Sequence, residues 1–423
     1  MSQYIQQNAS LVKYIGTILI RVSVIMIASG VLIFVDDTRN MSIAAQMSQA
    51  YRYSLPEWES RNIGAKWFFK LGLLAPWNGD KADKKRMISY YFSLAEQEEA
   101  LVGKIAKNFE SQLSGENLAM VEEKAKLSEK RLSKRDLVEE LLESQIATKI
   151  HEIGLGPRNS LQLLGFHFPP IDLRLDLPPK ILVVSPRDEI RMIEGILLEP
   201  DITLREATEL EDSLLELEDL SVIVDETAGI ASYPSVVSSY KTLRETLRIA
   251  SHEWLHHYLF FRPLGQAYWN DPFITSLNET VASMFGTEIG DDVYYQLALD
   301  ENETIFREIE VSSKERSKFE YRHEMWQTRM RVEELLELGK VIEAEEYMET
   351  RRQFFSDNGY FIRKLNQAYF AFHGNYGDSA ASISQLHNQL IRIRENTSIG
   401  EFVRILSKVS TEDQFMDLLE KRT

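Results

Sequence analysis

The sequence predicts an α+β protein, and three observations carry that reading. A charged, helix-periodic stretch runs from about Lys84 to Ile153. Short period-two and apolar runs follow between Ile171 and Val237, and helical patterning resumes at Thr242 and continues to the C-terminus. With 423 residues the chain is long enough for a large core divided among two or three units. Apolar residues make up 44% and charged residues 27%, the balance of a folded body rather than a disordered one.

Ahead of these elements lies a 22-residue run, Tyr14 to Val35, whose only charge is Arg21. At about 1.5 Å per residue it matches the hydrocarbon core of a bilayer. A cleaved signal peptide would need a small-x-small site before Asp36-Asp37. The sequence offers no good one, so an uncleaved single-pass anchor is expected. Lys13 and Arg21 favour a cytoplasmic N-terminus, with the body on the extracytoplasmic side of the cell membrane. Arg39 and Arg52 pull the other way.

In the helical stretch, Leu101, Ile105, Phe109 and Leu113 recur every four residues, as do Val138, Leu142, Ile146 and Ile150. Gly115 interrupts the pattern, which predicts a helical hairpin with solvated charged outer faces. Ile171, Leu173, Leu175 and Leu177 alternate with Asp172, Arg174 and Asp176, predicting a half-buried strand. Ile181 to Val184, Ser221 to Val224 and Gly229 to Val237 are further strands. Pro234 demotes the last of them to a sheet edge. The predicted units are residues 1–40, a tail and anchor; 41–157, the charged helical segment; and 158–423, the body that carries the chemistry.

The net charge of −17 argues against a nucleic-acid partner, because phosphate binding needs a basic face. There is no cysteine, so disulfides, thiolate metal sites and cysteine nucleophiles are excluded. Any transition-metal site must be built from imidazole and carboxylate. Such a site is visible in His252-Glu253-Trp254-Leu255-His256. Helical spacing of four sets both imidazoles on one face, a turn apart, where they can share one Zn2+ ion. Glu253 is placed to act on the attacking water rather than to bind the metal. The preceding Leu243, Leu247 and Ala250 put the motif inside a helix. His257, one position on, points about 100° away from His256 and reads as structural. A third ligand is needed, and Glu279 lies 23 residues after His256 in a second helical stretch, Leu277-Asn278-Glu279-Thr280-Val281-Ala282.

This arrangement resembles the gluzincins, the thermolysin-like and zinc aminopeptidase families, in which an Asn-Glu-x-x-Ala helix carries the third ligand. The resemblance implies zinc-dependent hydrolysis of a peptide or protein, with an aminopeptidase among the readings. It also implies a small antiparallel sheet over the motif helix and a helical C-terminal half. The segment Gly229 to Ser235 stands where these families place the edge strand that pairs with substrate, so Gly229 and Ala231 are candidate substrate-binding residues. Asp225 and Glu226 precede it, and Glu226 is the candidate partner of a substrate ammonium group. Leu365-Asn366-Gln367-Ala368 and His373-Gly374-Asn375-Tyr376 look like the Asn-x-Ala…Tyr segment of predicted bacterial membrane-anchored zinc aminopeptidases. That likeness makes Tyr376, with His373 second, the candidate oxyanion donor. One position departs from the pattern: Ser283 stands where thermolysin-like enzymes have an aspartate that orients a ligand histidine. Asn278 and Glu288 are the candidates to replace it. The alternative function is a membrane-tethered binding or scaffold protein with a structural or inactive metal site.

Overall fold

The computed structural model describes residues 41–72, 81–110, 114–156, 169–298, 320–377, 379–382 and 384–422. The expected anchor, residues 14–35, lies outside them. Among the described residues, no helix is long and apolar enough to cross a membrane.

The N-terminal part is helical: α1 (Ile43–Met47), α2 (Leu55–Gly72), α3 (Lys81–Glu110) and α4 (Ser114–Glu152). Helices α3 and α4 pack side by side as the expected hairpin. Ile88, Tyr91 and Phe92 meet Val138, Leu141 and Leu142, and Arg131 Nε lies 2.9 Å from Glu98 Oε2. Gly115 falls inside α4 rather than at the break.

Six strands and one helix follow: β1 (Leu173–Asp176), β2 (Lys180–Pro186), β3 (Glu194–Leu198), α5 (Leu204–Glu218), β4 (Leu220–Glu226), β5 (Gly229–Ile230) and β6 (Ser235–Ser238). Then come α6 (Leu243–Phe260), α7 (Pro263–Gln266), α8 (Pro272–Ala298), α9 (Tyr321–Glu337), α10 (Val341–Asp357), α11 (Gln367–His373), α12 (Leu386–Glu395), α13 (Ile399–Leu406) and α14 (Glu412–Arg422). The chain is therefore α+β, as its patterning predicts.

The strands form two sheets rather than one. The sheet β3-β2-β4 is antiparallel throughout, with Leu182 opposite Ile196 and Val224. Its Leu182, Val184 and Val224 pack with Ala207, Leu210 and Leu214 of α5, while Val183 and Ile223 turn to Ala368 of α11. The second sheet, β1-β6-β5, is mixed: β1 runs parallel to β6, and β5 antiparallel to it. This mixed sheet is the one that lies against α6, which corrects the expected antiparallel sheet over the motif helix. The physical reason is connectivity. The chain builds β2, β3, α5, β4 and β5 between β1 and its partner β6, a connection long enough to bring a strand back in parallel.

Strand β1 also departs from its expected half-burial. Leu173 and Leu175 are buried, but so is Arg174, at 1% exposure. The face carrying Arg174 is covered by carboxylates of α4: Arg174 bonds Asp136, and its Nη1 lies 3.2 Å from Glu139 Oε2. The outer backbone edge of β1 is closed by the same helix. Leu173 N–H donates to Glu143 Oε1 and Leu175 N–H to Glu139 Oε1, each at 2.8 Å. Lys66 of α2 takes the Leu173 carbonyl and pairs with both glutamates.

The helical segment expected as a separate unit shares its core with the rest. Val138, Leu142, Ile146 and Ile150 pack in one cluster with Leu247, Trp254 and Leu255 of α6, Val281 and Phe285 of α8, and Phe402 of α13. The apolar stripe of this helix pair is a wall of the central core, and not all of its charges are solvated as expected: Glu98, Arg131, Glu139 and Glu143 are buried because they pair with one another, with Arg174 or with the backbone of β1.

Candidate metal centre

Helix α6 begins where its sequence directs. The Thr242 side chain accepts the Glu245 N–H, and the Glu245 carboxylate accepts the Thr242 N–H, a capping box that satisfies two N-terminal donors. The buried stripe of Leu243, Leu247, Ala250 and Trp254 then orients the helix, and Trp254 Nε1–H donates to the Pro169 carbonyl at 3.0 Å. This leaves His252 and His256 on the opposite side with their Nε2 atoms 3.0 Å apart.

Helix α8 brings the third group. It crosses α6 closely enough that a Cβ on Gly286 would stand 2.6 Å from the Arg248 carbonyl oxygen and 2.9 Å from His252 Cβ. Only a residue without a side chain permits that approach. Glu279 Oε2 then lies 3.6 Å from the Nε2 of both histidines. Ligands about 2.0 to 2.1 Å from one tetrahedral zinc stand roughly 3.3 Å from one another. The three separations bracket that value, so the donor set fits zinc.

The surrounding groups orient the candidate ligands. Asn278 Oδ1 lies 2.9 Å from His256 Nδ1; a proton on that nitrogen leaves Nε2 with its lone pair for the metal. Tyr268 OH donates to Glu279 Oε1, so the two carboxylate oxygens have different tasks. Burial opposes the charge on Glu279, but His256 and His252 outweigh it and hold its carboxyl far below the usual range. For His256, burial acts to lower the pKa, and Glu279 overcomes it to raise the value to about 9.

Glu253 is buried and points towards β5. A Cβ on Gly229 would stand 2.6 Å from Glu253 Oε1, so the bare backbone of the strand lies directly over the carboxyl. Burial pushes the Glu253 pKa up, with His252 and His256 opposing and Glu279 adding to the rise. A carboxyl raised in this way accepts a proton more readily than a solvated one. No protein-family model, curated protein or solved structure matches this chain. The site must be read from its own geometry.

That geometry opens into a cavity of about 400 Å³, whose walls include Gly229, Ile230, Ala231, Tyr376 and the aromatic residues Phe260, Phe261 and Trp269. Trp269 is 86% exposed at its rim. The Tyr376 ring centroid is 6.4 Å from that of His252. His373 is not brought to the metal ligands. Its Nε2 lies 2.8 Å from Asp225 Oδ2, within hydrogen-bond distance. Glu226 is exposed at the end of β4 and does not line the cavity. Among the orienting candidates, Asn278 is in place, whereas Glu288 pairs with Arg394 of α12, Nε to Oε2 at 2.9 Å. His257 is turned from the ligands as its spacing requires. Its ring is 5.6 Å from that of Tyr233, and burial lowers its pKa to about 4.

Tyr268 and the aromatic wall escaped the sequence reading. Tyr268 belongs to the connection between α7 and α8, where no helical spacing ties it to Glu279. Phe260, Phe261 and Trp269 look in sequence like any apolar cluster at the end of a helix.

Proposed function

We propose that this chain is a zinc-dependent peptidase that hydrolyses internal bonds of extended polypeptides. The observation that carries the reading is the convergence of His252, His256 and Glu279 at tetrahedral ligand spacing, with the buried carboxyl of Glu253 beside them. Zinc held by these side chains supplies Lewis-acid activation of the peptide carbonyl and the attacking water. Glu253 takes the water's proton and delivers it to the leaving amine, a task for which its raised pKa suits it. Tyr376, on the cavity wall beside His252, donates its hydroxyl to the developing oxyanion. Tyr268 occupies one oxygen of Glu279 so that the other is presented to the metal.

Strand β5 binds the substrate backbone by adding it as a further strand. Phe260, Phe261 and Trp269 receive a bulky apolar side chain next to the scissile bond. An aminopeptidase would need a carboxylate for the substrate's ammonium group. Among the described residues lining the cavity, the carboxylates are Glu253 and Glu279, and both have other tasks. With residues 14–35 as an anchor, the body works beside a membrane.

Zinc analysis and peptide assays on the body lacking residues 1–40 test this proposal. About one zinc per chain is expected, lost on substituting His252, His256 or Glu279 by Ala. Glu253→Gln should keep the metal while turnover falls by about 100- to 10,000-fold. N-acetylated peptides should be cleaved as fast as free ones. Full turnover by Glu253→Gln would overturn the mechanism, and a strong preference for free amino termini would overturn the internal-bond reading.

A further inference from the structure

The connection between β5 and β6 is held from outside the sheet. Tyr233 N–H donates to Glu59 Oε1 at 2.9 Å, across 174 positions of sequence, and Tyr233 OH donates to Asp172 Oδ2 at 2.7 Å. Glu59 belongs to α2, is only 3% exposed, and has its pKa raised by burial against the lowering effect of the Tyr233 N–H. On the other side the Tyr233 ring meets His257, the neighbour of a metal ligand, and His257 faces the backbone of Ala231 and Ser232. Within the turn, Ser232 N–H donates to the Ile230 carbonyl at 2.8 Å, and Ser232 Oγ–H to the Pro234 carbonyl at 2.8 Å. The turn is thus gripped between a helix of the N-terminal segment and the helix that carries the metal ligands. Strand β5 is two residues long: its pairing, through Gly229 and Ile230, is with β6, and Ile230 packs into the cluster of Tyr53, Trp58 and Val236.

We propose that Glu59 is a positioning residue for substrate. By accepting the Tyr233 N–H it fixes the turn from Ala231 to Pro234, and through the turn it holds β5 over Glu253 at the height where a substrate strand can pair with it. The inference rests on the peptidase reading for its meaning, though the grip itself can be tested apart from activity. Loss of the Glu59 acceptor leaves the buried Tyr233 N–H unsatisfied. Glu59 touches neither the ligands nor Glu253, so its effect should fall on binding rather than on chemistry.

The experiment compares the wild-type protein with Glu59→Ala and Glu59→Gln. Zinc content, steady-state kinetics on an extended apolar peptide, and amide hydrogen exchange across residues 229–234 and 243–260 are read for each. Glu59→Ala should raise KM roughly tenfold, the equivalent of one buried hydrogen bond. Its kcat should stay within about threefold, since no transition-state contact is lost. Zinc should remain bound, and exchange should quicken at 229–234 but not in α6. Glu59→Gln, which keeps an acceptor oxygen, should restore both KM and protection. An unchanged exchange pattern at 229–234 in Glu59→Ala, or a fall in kcat at constant KM, would overturn the proposal. If the wild-type protein cleaves no peptide, the peptidase reading fails, and the exchange data still decide whether Glu59 grips the turn.

Discussion

The mixed sheet has two edges, and the molecule treats them in opposite ways. At β1 the outward N–H groups of Leu173 and Leu175 are taken by Glu143 and Glu139, and the Leu173 carbonyl is taken by Lys66. The edge is sealed with side chains. At β5 no strand among the described residues covers the outer side, and the backbone of Gly229 lies bare over Glu253 beside the cavity. An exposed edge invites pairing with other chains, so proteins cover those they do not use. One edge here is closed with buried ion pairs while the other faces the candidate catalytic centre. The difference agrees with the binding task proposed for the open edge.

The largest expected effect comes from breaching the sealed edge. Lys66→Met removes a cation buried at 4% exposure and leaves Glu143 and Glu139 short of a partner. Breaking a buried pair from one side costs about 3 to 5 kcal/mol, which a denaturant midpoint will record. Turnover per folded molecule should not change. If Lys66→Met altered activity and left stability intact, the division of labour between the edges would be wrong.

Gly229→Ala should do the reverse at the open edge. Its Cβ meets Glu253 Oε1 at 2.6 Å, Ile249 Cγ2 at 2.7 Å and the Val236 carbonyl at 3.0 Å, so either the strand or the carboxyl must shift. Overpacking of this kind costs about 1 to 3 kcal/mol. Because the strain falls on Glu253, turnover should drop roughly 10- to 100-fold with zinc retained. Normal turnover in this variant would show that the approach of β5 to Glu253 is incidental.

A smaller effect is expected from pH. His257 stays neutral in the folded state, its pKa lowered by burial to about 4 from 6.5. The unfolded chain therefore binds a proton that the folded chain refuses as pH falls below 6.5. Stability should decline between pH 6.5 and 4 and level off below, with a slope from this residue of at most about 1.4 kcal/mol per pH unit. Denaturation of wild type and His257→Gln in parallel isolates its share. Equal slopes in the two proteins would remove His257 from the acid response.

The parts of the site legible in sequence are those held by local periodicity. The spacing of His252 and His256 needs only one helical turn, and Glu279 needs only a second helix at the right distance. Gly229 was readable as part of an edge because Pro234 follows it. The remainder depends on partners distant in the chain. Arg174 looked like the polar side of a half-buried strand because Glu139 and Asp136, which neutralise it, lie in another helix. The parallel pairing of β1 with β6 follows from a long detour of the chain, which strand patterns do not encode. The spacing of His373 says nothing of Asp225, 148 positions away, which lies beside it in the fold. Tyr268 reaches Glu279 through a connection whose path is set by packing rather than by a repeat.

Genetic exchange moves proteins in pieces that fold by themselves, and this chain does not divide into such pieces where its sequence changes character. Ile146 and Ile150 complete the same interior as Leu255 and Phe285, the charge of Arg174 is matched across the boundary by Asp136 and Glu139, and Lys66 reaches across it to the Leu173 carbonyl. A foreign helical segment joined to the C-terminal half would bring the wrong apolar stripe and leave an arginine buried without its acids. The two halves must therefore be inherited together, and a change in one will select for its counterpart in the other.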